Sequence, residues 1–117
     1  MKKRVTKNLR AIVHEVDPLR GIISVEVNGT AFFLNQDKLG PLIVRRQTSG
    51  DVVGRIMPDR RGGDIWFGDK RIAEYLFESE GGYLVVPLNK DNKASFDDAR
   101  SEHPIDYLLA RATRQGV

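Results

Sequence analysis

Residues 22–35, IISVEVNGTAFFLN, leave the backbone few options. Ile23, Val25 and Val27 alternate with Ser24 and Glu26, the period of a strand that buries one face. Asn28-Gly29 follows at once. A type I′ hairpin turn needs positive φ at both central positions, and this dipeptide tolerates that best. TAFFLN (30–35) then runs back along the first strand. The same grammar extends in both directions. LRAIVHEV (9–16) ends in DPLRG, where Asp17 and Pro18 bring turn chemistry and Gly21 accepts a positive φ. LIVRRQ (42–47), TSGD, VVGRIM (52–57), PDRRGG and DIWFG (64–68) continue the series of short runs and turns. Gly54, inside a run, predicts a bulge or a tight bend.

The second half is more mixed. DKRIAEYLFESEGG (69–82) reads as a helix, with Asp69 as N-cap, Ile72, Tyr75 and Leu76 on one side, and glycines at its end. Alternation of Ala73, Tyr75 and Phe77 is the competing strand pattern. YLVVPLN (83–89) reads as a strand with Pro87 at an edge or near its end, and 90–103 as a polar loop with a short helical turn. HPIDYLLARATRQG reads as a terminal helix: Pro104 suits its first position, and Ile105, Leu108, Leu109 and Ala112 form an apolar stripe.

A chain of 117 residues is long enough to bury a core as one domain without disulfides or metals. The fold class expected is mainly β with some helix (β+α). It is a small antiparallel OB/SH3-like barrel with one internal helix and a C-terminal helix, spanning 9–117 behind a basic arm at 1–8. The C-terminal stripe is expected to cover the barrel, or alternatively to dock a second copy as a homodimer.

The chain has no cysteine, which removes disulfides, thiolate nucleophiles and Cys-based zinc sites. Its two histidines, His14 and His103, have no partner at motif spacing. Asp97, Asp98 and Glu102 invite a metal or acid–base role, but helix-start acidity explains Asp97 and Asp98 without any chemistry. No phosphate-binding loop, dinucleotide fingerprint or hydrolase motif occurs. The expectation is a protein that is not an enzyme and uses no metal or cofactor. No apolar run approaches the roughly 20 residues a spanning helix needs, and the basic N-terminus has no apolar stretch behind it, so no membrane partner and a cytoplasmic location are expected.

Charge is unevenly spread. Residues 1–61 hold twelve Lys and Arg against six acids, whereas 62–117 hold seven against ten. The basic half suits a polyanion, through counterion release and steering. The basic group Arg45, Arg46, Arg55, Arg60 and Arg61 consists only of arginine, the cation suited to bidentate phosphate contacts, although Arg45 and Arg46 point to opposite faces of a regular strand. Trp66, the only tryptophan, lies among them and beside Lys70 and Arg71. Trp66 and Phe67 are adjacent on a strand and face opposite ways. The indole is therefore either a core residue or a platform on which a base stacks.

The segment 10–57 resembles the oligonucleotide-binding and cold-shock family of small barrels. DPLRGIISVEV stands where that family has its turn and first nucleic-acid-binding strand, TAFFLN resembles the third strand, and SGDVVGRI the start of the fourth. The resemblance implies a barrel that binds single strands by stacking bases on strand-borne rings. Here Ile22 and Ser24 occupy outward positions after Gly21, which leaves one of Phe32 and Phe33, and Trp66, as rings to offer.

The function expected is non-enzymatic binding of DNA or RNA, single strands favoured. Its phosphate-binding surface comprises Arg20, Arg45, Arg55, Arg60, Arg61, Lys70 and Arg71, with Phe32 and Trp66 as rings. The alternative is a small protein-interaction module, an inhibitor or adaptor. It would bind and block a partner protein through sheet edges and the acidic half, where Glu74, Glu78 and Glu80 lie close together.

Overall fold

The computed structural model describes residues 11–17, 22–27, 29–36 and 40–115. The expected arm at 1–8 and Arg20 lie outside these. Among the described residues nine strands form one antiparallel sheet in chain order. They are β1 Ala11–Asp17, β2 Ile22–Val27, β3 Thr30–Gln36, β4 Leu42–Arg46, β5 Val52–Pro58, β6 Gly62–Phe67, β7 Lys70–Phe77, β8 Tyr83–Pro87 and β9 Arg100–Ser101. A 3-10 turn at Phe96–Asp98 precedes β9, and helix α1, Pro104–Gln115, ends the fold.

The β2–β3 hairpin closes as its sequence requires: Val27 pairs with Thr30, and Gly29 has a φ of 83°. Two other expectations fail. β1 pairs only with β2 and β9 only with β8, so the described sheet is open and does not close into an OB/SH3-like barrel. The internal helix expected over 69–82 is strand β7. Its period is set by burial on one face, where Ala73 and Tyr75 are both core residues. Opposite Tyr75 lies Gly63, and a Cβ there would sit 2.7 Å from the Tyr75 hydroxyl. β7 also supplies the ladder on both flanks, to β6 and to β8, so a helix here would orphan two rows of backbone groups.

The open sheet still curls. Ladder register slips at three places: beside His14 in β1, beside Val53 in β5 and beside Ile72 in β7. Each is an extra residue that bends its strand and increases twist. The one at Val53 adjoins Gly54, where a bulge or bend is predicted. Curling lets α1 touch β2, β5, β6 and β8 at once. β2 and β8 are six strand spacings apart, about 29 Å if flat, whereas a twelve-residue helix is about 18 Å long.

The inner face and the helix form one core. Val25, Val27, Phe32, Leu34, Val44, Ile56, Ile65 and Val85 meet Leu108, Leu109 and Ala112. Burying one such large side chain contributes about 1.5–3 kcal/mol. Leu108, Leu109 and Ala112 of the helical stripe are buried against the chain's own sheet, and Ile105 is partly so. β5 passes closest beneath α1 at Gly54, where a Cβ would meet the Trp66 carbonyl and lie 2.8 Å from Leu108 Cδ1. His103 caps the helix, its Nδ1 accepting from the Ile105 N–H at 3.1 Å, and Pro104 takes the first helical position. No helix among the described residues is long and apolar enough to cross a membrane.

Candidate nucleic-acid interface

With α1 on the inner face, alternation sends every second side chain to the outer face. On β4 to β7 this builds a row of directly opposed residues: Ile43 faces Arg55, Arg55 faces Trp66, and Trp66 faces Arg71. Trp66 is half-buried and is flanked on its strand by the buried Ile65 and by Phe67, which packs against the core. The ring therefore projects outward, and the alternative of a core tryptophan is set aside by geometry. The Arg55 guanidinium lies 5.6 Å from the Trp66 ring centroid, within cation–π range. One residue pair further along, Phe33 faces Arg45 on the same surface. Arg45 is exposed and its Nη1 donates to the Gly50 carbonyl at 3.1 Å, which ties it to the β4–β5 turn.

Arg71 belongs to this face only because of the bulge at Ile72. Without it, Arg71 would share the inward parity of Ala73 and Tyr75. Displaced outward, its Nη1 reaches Asp64 Oδ1 at 3.2 Å and Glu74 Oε1 at 3.5 Å. Asp64 and Glu74 sit directly opposite across the β6–β7 ladder, a like-charge pairing that is unfavourable unless a cation bridges it. Arg71 is that cation, so its charge is already satisfied within the protein.

The remaining predicted site residues disperse. Phe32 is fully buried and belongs to the core, so the expected stacking role cannot apply to it; Phe33 is the outward ring of the pair. Arg46 faces inward opposite Phe32, its guanidinium 6.0 Å from that ring. Arg60 and Arg61 are exposed in the β5–β6 loop, at the opposite end of β6 from Lys70 and the β6–β7 turn. Six residues of strand separate the two ends by about 20 Å. That loop is shaped by Asp59, whose Oδ1 accepts from the N–H groups of Arg61 at 2.8 Å and Gly62 at 3.0 Å. The expected single arginine surface is thus reduced to Arg45 and Arg55 around Trp66 and Phe33, with Arg71 beside them.

Trp66, Lys70 and Arg71 also border a cleft of about 950 Å³ shared with Lys90, Tyr107 and Arg111. Sequence reasoning assigned no site role to Lys90, Tyr107 or Arg111. Arg111 could be read from sequence only as a cation near a helix C-terminus. No group of three or more potential metal ligands occurs among the described residues. Comparison with known proteins finds no matching family model, no similar curated protein and no similar solved structure.

Proposed function

We propose that this protein binds single-stranded nucleic acid on the outer face of its sheet, without catalysing a reaction. The observation that carries the reading is the Arg55–Trp66 pair, a half-buried outward ring with a guanidinium 5.6 Å from its centroid, on the same face as the exposed Arg45. Base–aromatic stacking contributes about 1–3 kcal/mol per base and tolerates any sequence. Arginines beside the ring anchor the phosphates that flank the stacked base. In this reading the open sheet performs the task that an oligonucleotide-binding barrel gives to its strand-borne rings. Fluorescence anisotropy of a labelled oligonucleotide across a salt series tests it. Each phosphate contact contributes a slope of about −0.7 in log K against log salt for single strands. Binding that weakens with salt, with a shallower slope in Arg45→Ala, is expected; no binding to DNA or RNA at low ionic strength overturns the reading.

One observation favours a protein-interaction module, an inhibitor or adaptor, as the second reading. Phe77 and Phe96 are exposed by 56% and 63%, and Phe77 packs against Tyr83 beside the acidic turn holding Glu78 and Glu80. Co-purification of a defined protein, unaffected by nuclease and lost in Phe77→Ser, would favour it over nucleic acid.

A further inference from the structure

The cleft beside the β6–β7 turn holds cations, Lys90 and Arg111, that the outer-face reading does not use. Arg111, on α1, lies with its guanidinium carbon 5.8 Å from the Phe67 ring centroid and lines the cleft. Its Nε is buried and has no hydrogen-bond partner among the described residues. No carboxylate among them pairs with it; the ion pairs there are those of Arg71. A buried donor left unmade costs about 1–3 kcal/mol, and such exceptions call for a reason. Lys70 and Lys90 line the same cleft and likewise lack an ion-pair partner among the described residues. Asp64, which also borders it, is engaged by Arg71. Three cations without an ion pair among the described residues thus line a space that also holds one further carboxylate, Asp69, and is bordered by Trp66 and Tyr107.

We infer that this cleft binds a nucleoside monophosphate. Arg111, Lys70 and Lys90 hold the phosphate, and the base lies against Tyr107, towards the margin where Trp66 borders the cleft. A volume near 950 Å³ falls within the range of small-ligand sites and accommodates a nucleotide with water. Guanidinium suits the phosphate through its planar fork, and a turn of the Arg111 side chain towards a bound phosphate would give its buried Nε the acceptor it lacks. The ligand is either a free nucleotide or the phosphorylated end of a strand. In the second case the inference rests on the proposed function, because the strand would run from the cleft onto the outer face at Trp66.

Trp66 is the only tryptophan, so its fluorescence reports directly on the cleft. Titration of the full chain with adenosine monophosphate should quench or shift the emission saturably, and adenosine should bind at least ~10-fold more weakly because it lacks the charge-assisted contacts. Arg111→Gln and Lys90→Ala should each weaken the nucleotide by at least ~10-fold. Lys90 is exposed in a loop, so its variant remains informative if Arg111→Gln folds poorly. Competition separates the two sources. Displacement of the nucleotide by a 5′-phosphorylated oligodeoxyadenylate but not by its 5′-hydroxyl form identifies a strand end; displacement by neither identifies a free nucleotide. No response to millimolar adenosine monophosphate, adenosine binding as well as its phosphate, or wild-type affinity in Lys90→Ala overturns the inference. Oligonucleotide binding lost from the outer face while nucleotide still quenches Trp66 would instead count against the proposed function alone.

Discussion

Arg55 and Trp66 face one another across the β5–β6 ladder, the guanidinium 5.6 Å from the indole centroid on the side of the sheet away from the helix. The pair exists because Gly54 and Phe67, their chain neighbours, are drawn inward towards α1. Alternation then leaves Arg55 and Trp66 on the outside together. A ring in this position contributes through its half-buried edge and its cation, not through a packed cavity. Trp66→Ala should therefore cost about 1–2 kcal/mol, below the ~3–5 kcal/mol typical of removing a core aromatic. It should weaken single-strand binding by about 1–3 kcal/mol, roughly 5- to 150-fold. Urea unfolding and anisotropy on the same sample check both; a loss of stability matching Phe32→Ala would return Trp66 to the core.

Arg71 holds two opposed carboxylates together, so its removal should act through them. Arg71→Met is expected to destabilise the protein by about 1 kcal/mol, since the pairs are partly exposed and screened. Added salt should shrink that deficit, because the repulsion between Asp64 and Glu74 is screened as well. Thermal melts at low and high salt measure the difference. A deficit that stays constant would mean that Arg71 acts through packing.

These two arginines show where sequence reasoning reaches its limit. The hairpins were legible because their information is local: Asn28-Gly29 and the alternation beside it specify turn, register and face together. Phe32 and Phe33 could be assigned to opposite faces but not to particular ones, because parity has no sign until a core exists. Arg71 stands on the outer face for a reason its sequence position does not reveal. Its face depends on one extra residue at Ile72, and no residue type marks that bulge. The helix expected over 69–82 failed similarly. Its apolar spacing satisfies both periods, and the deciding fact is the ladder offered by β6 and β8, which lie outside the segment. Arg111 was invisible as a site residue because only the folded chain brings helix α1 beside the β6–β7 turn.

Gly54 sets how closely α1 can lie on the sheet. A methyl group there would meet the Trp66 carbonyl and Leu108 Cδ1. Gly54→Ala should cost about 1–3 kcal/mol through overpacking. The first obstacle is backbone, so trimming the second in Gly54→Ala/Leu108→Ala should add the cost of a cavity without relieving the clash. Denaturant midpoints of the single and double variants test this. Wild-type stability in Gly54→Ala would mean that β5 at Gly54 stands further from both the Trp66 carbonyl and the helix than this packing implies.

Tyr75 supplies a pH dependence with a definite sign. Burial raises its phenol pKa above the ordinary value near 10, and the negative charges that Tyr83, Asp59 and Asp64 can carry raise it further. The folded state therefore holds the phenolic proton more tightly than the unfolded chain does. Its contribution is fully present below about pH 10 and is lost as pH rises through the elevated folded-state value, because the unfolded state ionises first. Tyr75→Phe has no proton to lose. Thermal midpoints of the two proteins should run parallel from neutrality to about pH 9 and then converge or cross, with the wild type falling more steeply. Subtracting the two curves removes the other tyrosines and the lysines, which titrate in the same range in both. Parallel curves throughout would show that the Tyr75 hydroxyl reaches water in the folded protein, and that the sheet leaves β7 more open than its packing against Gly63 implies.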